Sequence, residues 1–252
     1  THDPELWKGR PDDGIVVHAD GSLRNVQLFL PARADVSASG DIRDIYYVGQ
    51  NLAAADVSSI RAGGEIYFSS VTGASTLGTG IEQGGAGALV VQAGGSIDLG
   101  TTAGIKSYGN FLNTGLPVKG SDLVVVAGIG RPVGPADAEA FFGSVDSAGN
   151  ATPGSLVEAG LAYSALKAEG KPDEAQKKID DARTGIIVPF LGNPVTSEGA
   201  DINMVSSQIG TNSGKDGIYV IASGTVKVGK SSIVLDRSTA QSRLNSTGIY
   251  TA

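Results

Sequence analysis

Three short stretches share one pattern, in which a glycine-rich turn is followed by a strand of alternating polar and apolar residues. They are Ser39-Gly-Asp-Ile-Arg-Asp-Ile45, Ala62-Gly-Gly-Glu-Ile-Tyr-Phe68 and Ala93-Gly-Gly-Ser-Ile-Asp-Leu99. The pattern returns at positions 120–125, 199–204 and 214–220. The distance between successive units varies, and irregular spacing of this kind is typical of a solenoid whose loops differ in length.

Each unit places one aliphatic residue at the same position of its strand. Such a strand is half buried and cannot cover its apolar face alone. Units stacked in register would bring these residues together in a continuous core, with glycine at corners that need a positive φ or a close backbone approach. The sequence therefore predicts a single column of stacked side chains, made of Ile42, Ile66, Ile97, Leu123, Ile202 and Ile218.

We therefore predict an all-β chain, a right-handed parallel β-helix (solenoid) with an inserted helical excursion. The alternative is a β-sandwich, which also has short strands and glycine turns but seldom repeats one local sequence unit. Three segments between Gly134 and Arg183 favour helix, beginning near Pro135, at Leu156–Ala168 and at Pro172. We expect one domain over residues 1–252, with N-terminal strands at 1–40 and the helical insertion at 134–184.

The composition excludes several classes of site. The chain of 252 residues has no cysteine and two histidines, His2 and His18, which rules out disulfides, thiolate metal sites and multi-histidine zinc sites within one chain. The net charge of −7 is spread along the chain, whereas nucleic acid binding needs clustered Lys and Arg. No apolar run approaches the roughly 20 residues that cross a bilayer. We expect no nucleic acid partner and no membrane insertion.

Two motifs invite a chemical interpretation that the surrounding residues do not favour. Gly224–Ser231 fits the phosphate-loop pattern, but its residues alternate as in a strand and no helical pattern follows. His18 lies in an apolar stretch that predicts a strand, so we interpret it as a strand-face residue and not as part of a catalytic triad. The sequence therefore predicts no nucleotide site and no triad.

Acidic residues recur at or beside the corners of the repeated units. Two carboxyl groups held close together can act on a glycosidic bond as acid and base. A solvated corner is the other interpretation, and no Arg and His residues accompany the acids in the same column. We therefore predict no catalytic residue, no cofactor and no metal for these acids: Asp41, Glu65, Asp98, Asp122 and Asp201.

Longer runs of residues carry a family resemblance. They are Asp41-Ile-Arg-Asp-Ile-Tyr-Tyr-Val-Gly-Gln-Asn51, Ile60-Arg-Ala-Gly-Gly-Glu-Ile66, the stretch 80–102 and, after the helical interruption, Gly199-Ala-Asp-Ile-Asn-Met-Val-Ser-Ser-Gln-Ile-Gly-Thr211. These runs resemble the C-terminal region of filamentous-haemagglutinin-type proteins. The resemblance implies an extracellular bacterial adhesin, exported by two-partner secretion through an outer-membrane partner, that forms β-helical filaments on the cell surface.

An abbreviated β-helix exposes the backbone of its first and last strands, which can pair with another chain. We therefore expect self-association into a homopolymer, end to end, with Thr1–Leu30 as the donor segment. The donor residues are Ile15, Val16, Val17, Val26, Leu28 and Leu30, and the acceptor edge is Ile249 and Tyr250. The alternative is a monomeric carbohydrate-binding or polysaccharide-cleaving β-helix.

Overall fold

A computed structural model describes residues 14–69, 80–100, 102, 104–109, 115–116, 119–143, 146–151, 153, 156–178, 200–209, 218–222, 226–230 and 248–250. The first twelve strands are β1 (Ile15–Ala19), β2 (Leu23–Arg24), β3 (Gln27–Leu30), β4 (Ala34–Ala38), β5 (Ile42–Arg43), β6 (Tyr46–Gln50), β7 (Val57–Ala62), β8 (Ile66–Tyr67), β9 (Gly80–Gly84), β10 (Ala88–Ala93), β11 (Ile97–Asp98) and β12 (Ile105–Tyr108). Then come β13 (Asp122–Ala127), the helices α1 (Pro135–Phe142) and α2 (Leu156–Ala168), β14 (Ile202–Ile209), β15 (Ile218–Ala222), β16 (Val226–Lys230) and β17 (Gly248–Tyr250).

The strands form three parallel ladders. The first is a six-stranded sheet in the order β1-β4-β7-β10-β13-β15. The other two are the arms of an eleven-stranded sheet, one running β2-β5-β8-β11-β14 and the other β3-β6-β9-β12-β17, which join where β17 pairs with β14. The eleventh strand, β16, also pairs with β14. The first twelve strands thus follow a three-strand repeat, in which each strand pairs with the strand three places later. This all-parallel arrangement is consistent with a parallel β-helix and differs from the antiparallel sheets of a β-sandwich.

Like side chains stack along the inward face of the six-stranded sheet. One column contains only β-branched residues, and the column beside it contains only alanine, so the core repeats its packing from strand to strand. The β-branched column is Val17, Val36, Ile60, Val91, Val125 and Val220. The alanine column is Ala19, Ala38, Ala62, Ala93 and Ala127.

One polar contact lies inside this apolar core. The Tyr47 hydroxyl donates to Gln83 Oε1 at 3.0 Å, and both side chains are fully buried. Burial raises the pKa of Tyr47 to about 12. The Tyr47 ring has room because residue 49 is glycine, where a Cβ would collide with the Tyr47 hydroxyl and Gln83 Oε1. A larger residue at Gly49 would therefore break a hydrogen bond between buried groups.

The predicted aliphatic column is right for four residues and wrong for two. Ile42, Ile66, Ile97 and Ile202 are successive register partners in the short-strand arm, as predicted. Leu123 and Ile218 pair with each other in the six-stranded sheet instead. The prediction failed there because the same glycine-to-aliphatic motif precedes both the two-residue strands and β13, which has six residues.

The helices lie where the sequence predicts them. In α1 the Asp137 carboxylate accepts the Gly134 N–H at 2.9 Å, and the helix ends at Gly143, whose N–H donates to Glu139 O at 2.8 Å. α2 has its predicted bounds. Residues 172–178 are also helical, whereas the rest of the predicted third segment and Ser155, the predicted cap of α2, lie outside the described residues.

Helix α1 packs on the outer surface of the six-stranded sheet, over β13 and β15. The Phe142 ring packs against Tyr219 with centroids 5.5 Å apart, and Ala138 lies fully buried beside them. We call the outward residues of β10, β13 and β15 the covered face; they are Val90, Gln92, Val124, Val126, Tyr219 and Ile221.

Gln92 is the polar residue of the covered face. Its side chain binds the backbone of residues 129–133, the connection that leads to α1. Its Nε2 donates to Ile129 O at 3.1 Å and to Arg131 O at 2.6 Å. Its Oε1 accepts the Val133 N–H at 3.0 Å. The buried amide therefore satisfies backbone groups that would otherwise lack partners inside the protein.

Candidate functional site

The predicted donor residues lie in the first three strands, and each of these strands is the last of its ladder. Ile15, Val16 and Val17 are in β1, Leu28 and Leu30 are in β3, and Val26 immediately precedes β3. The expected strands at Ile15–Val17 and Val26–Leu30 are therefore observed, with slightly different bounds. The remainder of the proposed donor segment, residues 1–13, lies outside the described residues.

Core side chains are less covered in these first strands than in the next ones. The inward residues of the first repeat remain only partly buried against the core: Val17, Ala19, Leu23, Leu28 and Leu30. Their register partners in the second repeat include Val36, Ile42 and Tyr47, which are fully buried. At the other edge of the six-stranded sheet, Val220 is likewise only partly buried. Among the described residues, the core is thus less covered at both edges of this sheet than in its middle.

The predicted acceptor residues, Ile249 and Tyr250, do not lie at an edge. They belong to β17, which pairs with β12 on one side and with β14 on the other. Ile249 is fully buried and stacks on Ile105. The sequence did not reveal this position because the strand inserts between neighbours that come much earlier in the chain.

The outward residues of β1, β4 and β7 form a second surface on the six-stranded sheet, which we call the polar face. It consists of Val16, His18, Asp35, Ser37, Ser59 and Arg61. His18 Nδ1 is hydrogen-bonded to Ser37 Oγ at 2.8 Å, and His18 Nε2 to Asp20 Oδ1 at 3.2 Å. The His18 side chain is 54% exposed and Asp20 is fully exposed. The structure thus confirms His18 on a strand face but also brings it between a serine and an aspartate.

A second hydrogen-bonded group lies beside the first on the polar face. The Ser59 hydroxyl donates to Asp35 Oδ1 at 2.6 Å and accepts a hydrogen bond from Arg61 Nη1. Arg61 Nη1 is 4.0 Å from Asp35 Oδ1. Burial lowers the pKa of Arg61, and its Nε is buried without a hydrogen-bond partner in the described part of the chain. Arg61 is the register partner of Ser37, and its guanidinium is directed at Ser59 and Asp35.

A second kind of repeat in the sequence predicts these contacts, although the glycine-turn motif alone does not reveal it. Residues 17–30 align with residues 36–49 at a constant offset, with glycine on glycine at positions 21 and 40 and arginine on arginine at 24 and 43. The offset is 19 residues, the separation of His18 from Ser37. Parallel strands pair at this offset, so it predicts which side chains become neighbours across β1 and β4.

Corner side chains hold the backbone of the neighbouring repeat. Asp41 Oδ1 accepts the Glu65 N–H at 3.0 Å, and Ser22 Oγ accepts the Asp41 N–H at the same distance. Asp98 accepts the Gly100 N–H at 2.9 Å, whereas Asp122 pairs with Lys119 at 2.7 Å. Asp41, Asp98 and Asp122 thus each contact another group of the chain, and their lack of a catalytic role stays a prediction.

The outer face of β9 and β12 carries a buried pair of opposite charges. Glu82 and Lys106 are register partners, and Lys106 is only 1% exposed. Burial lowers the pKa of Lys106 to about 8, although Glu82 partly offsets this effect. Burial also raises the pKa of Glu82 and that of Tyr108, whose hydroxyl has no hydrogen-bond partner among the described residues.

The phosphate-loop match contains a strand, as the alternation of its residues predicts. Val226–Lys230 form β16, which pairs in parallel with β14. Gly224, Thr225 and Ser231 lie outside the described residues. A phosphate loop instead winds its backbone N–H groups around the phosphates.

Comparisons with protein-family models, with curated proteins and with solved structures find no match to this chain. The similarity to filamentous-haemagglutinin-type proteins therefore rests on the sequence motifs alone. Within the described ranges, no three metal-binding side chains come together. No described helix has the length and apolarity needed to cross a membrane.

Proposed function

We propose that this chain is a right-handed parallel β-helix with a structural and adhesive role outside the bacterial cell, and that copies stack end to end into a surface filament. The resemblance to filamentous-haemagglutinin-type exoproteins supports the location and an outer-membrane secretion partner. The three parallel ladders support the solenoid. The stacking of copies is supported by one further observation, which concerns the edges of the six-stranded sheet.

That observation is the partial burial of core side chains at both edges of the sheet. Val17 at one edge and Val220 at the other are half-covered members of a column whose inner members are buried. Stacking a second copy head to tail would place Val220 of one copy against Val17 of the next and continue the column. Such a contact is heterologous and does not close, so it produces a filament and not a dimer.

The backbone of β1 supplies the polar half of this contact. The Ile15 N–H donates to Arg33 O, and Ala19 O accepts the Ser39 N–H, so these residues face β4. Alternation along a strand directs the amide groups of Val16 and His18 to the opposite side. In the proposed filament these amides pair with the edge strand β15 of the next copy.

A proline at position 16 tests this contact without breaking the β1–β4 pairing. Proline removes the Val16 N–H, which faces away from β4, and proline is tolerated on edge strands. We expect Val16→Pro to abolish filaments in electron micrographs and to reduce light scattering to that of a monomer. Val16→Thr keeps the N–H and is the matched control, which should polymerise like the unmodified chain.

Two results would overturn the proposal. One is an unmodified chain that stays monomeric at every concentration tested, a behaviour that belongs to the carbohydrate-binding or polysaccharide-cleaving alternative. The other is a filament that forms equally well with Val16→Pro, which would place the contact elsewhere. Circular dichroism of the variant must show the unmodified β content for either result to count.

A further inference from the structure

The polar face holds a serine, a histidine and an aspartate in hydrogen-bonded order. Ser37 Oγ is 2.8 Å from His18 Nδ1, and Asp20 Oδ1 is 3.2 Å from His18 Nε2. Nucleophilic catalysis by serine needs this connection, in which a base contacts the hydroxyl and a third group orients the base. The ring nitrogens are exchanged relative to the familiar Ser-His-Asp triad, but the chemical roles do not depend on which nitrogen contacts which partner.

The groups that contact the two ring nitrogens of His18 determine which nitrogen carries the proton. Asp20 is a carboxylate and can only accept, so neutral His18 carries its proton on Nε2. The lone pair of Nδ1 then accepts the hydrogen bond of the Ser37 hydroxyl. Ser37 is thereby directed at a base that is able to take its proton.

Arg61 is the register partner of Ser37 on the side away from His18. Ser37 is between His18 and Arg61 in the same outward column, and neighbouring strands are about 4.8 Å apart. The Arg61 guanidinium contacts Ser59 and Asp35, and these three residues form the second hydrogen-bonded group of the polar face. The two serines of this face therefore differ in their partners: Ser37 contacts His18, whereas Ser59 contacts Asp35 and Arg61.

We propose that the polar face is a slow esterase site, with Ser37 as nucleophile, His18 as general base and Asp20 as its orienting residue. The face is open, with His18 half-exposed and Ser37 partly exposed, so the substrate class is an accessible carboxylic ester. An O-acyl group on a surface polymer has this chemistry. The site is independent of the proposed filament contact because these side chains point outward from the sheet.

The reaction needs only water besides the ester. Ser37 Oγ attacks the carbonyl carbon while its proton passes to His18 Nδ1. The bond from carbon to the alcohol oxygen breaks, and that oxygen takes the proton from His18. Water then attacks the acylated Ser37, His18 accepts its proton and returns it to Ser37 Oγ, and the carboxylic acid leaves.

The test uses the full chain with p-nitrophenyl acetate as the ester. We expect hydrolysis above the buffer rate, and an acetyl group on Ser37 found by peptide mass spectrometry. Ser37→Ala should lower the rate at least about tenfold, and His18→Gln should have a similar effect, given the usual contribution of a general base. Ser59→Ala is the matched control, because Ser59 lies on the same face but contacts Asp35 and Arg61 and has no hydrogen bond to the imidazole.

Several results would overturn the assignment. Hydrolysis that persists in Ser37→Ala but disappears in His18→Gln would mean that the imidazole alone attacks the ester. Equal losses in Ser37→Ala and Ser59→Ala would indicate a general disturbance of the face. If a variant fails to fold, the unmodified chain still tests the proposal, because the acetyl group must be found on Ser37. An unmodified chain without an acetyl group on Ser37 rejects the proposal.

Discussion

The six-stranded sheet presents two outer surfaces that differ although its inner surface is uniform. Inward, the β-branched column continues from β1 to β15 and the alanine column from β1 to β13. Outward, the polar face on β1, β4 and β7 carries hydroxyl and charged groups, whereas the covered face on β10, β13 and β15 is mostly apolar and lies under α1. The inward residues determine the stacking of strands, while the outward residues determine what contacts the sheet.

This difference explains why the chain includes a helical segment after β13. A parallel sheet with apolar residues on both faces needs a cover on each of them. Val124 and Val126 are fully buried only because α1 and its connection pack over them. On the polar face Val16 and His18 are exposed, whereas Ser59 is buried among the polar side chains.

The largest expected effect comes from weakening the cover itself. Phe142 is 7% exposed and packs on Tyr219, so Phe142→Ala should lower the free energy of unfolding by about 3 kcal/mol. Leu161→Ala in α2 is the control, since Leu161 is 49% exposed and should cost less than about 1 kcal/mol. Urea denaturation followed by circular dichroism measures both. Equal costs would show that α1 does not depend on this contact.

A comparison within one outward column tests the two surfaces directly. Val16 and Val124 occupy the same column of the sheet, but Val16 is 68% exposed and Val124 is fully buried. Val124→Asn should cost about 3 kcal/mol, because it places an amide without partners under the helix. Val16→Asn should change stability by about 0.5 kcal/mol or less. Similar unfolding midpoints for the two variants in urea would contradict the distinction.

A smaller effect is expected at the polar residue of the covered face. Gln92→Leu removes three hydrogen bonds to the connection before α1, among them those of the buried Ile129 carbonyl and the Val133 N–H. We expect a loss of about 2 kcal/mol. Amide hydrogen exchange at Val133 should become faster while exchange in β4 stays unchanged. Unchanged exchange at Val133 would show that another group replaces Gln92.

The smallest expected effect is a pH dependence of stability that comes from Lys106. This residue lies on β12 of the eleven-stranded sheet, where its outward side chain is buried. Its lowered pKa means that the unfolded chain binds more protons than the folded chain above about pH 8, so stability should rise with pH up to about pH 10. Above that range Tyr47 and Tyr219, whose pKa burial raises to about 12, should reverse the trend, because their phenols ionise first in the unfolded chain.

Lys106→Met isolates this contribution. Urea unfolding midpoints measured across the same pH range should rise for the unmodified chain and stay flat for the variant. A rise of equal size in both chains would assign the pH dependence to other groups.

The sequence predicts the repeated unit well because the unit is local. Glycine before an alternating strand identifies the strands at Ile42, Ile66 and Ile97, and Pro135 and Leu156 mark the starts of the two helices. It does not predict which ladder a strand joins, and Leu123 was misplaced for this reason. Ladder membership depends on the length of the following strand and on contacts between distant residues.

The candidate site was harder to predict than the fold. His18, Ser37 and Arg61 are neighbours only because three parallel strands are in register, and each residue alone is an ordinary strand-face side chain. The constant offset between the first two repeats would have paired His18 with Ser37. The contact of His18 with Asp20 depends on the corner conformation, which no sequence pattern indicated.

The insertion of β17 between β12 and β14 has a consequence for the order of folding. Early repeats close over short separations, such as the 19 residues between His18 and Ser37 and the 24 between Asp41 and Glu65. The contact from Ser96 to Asp201 already spans 105 residues, and β17 is reached later still. Closing long loops slows folding. A polypeptide emerging from its amino end would thus assemble its first repeats at once, while the gap beside β12 waits for residues 248–250.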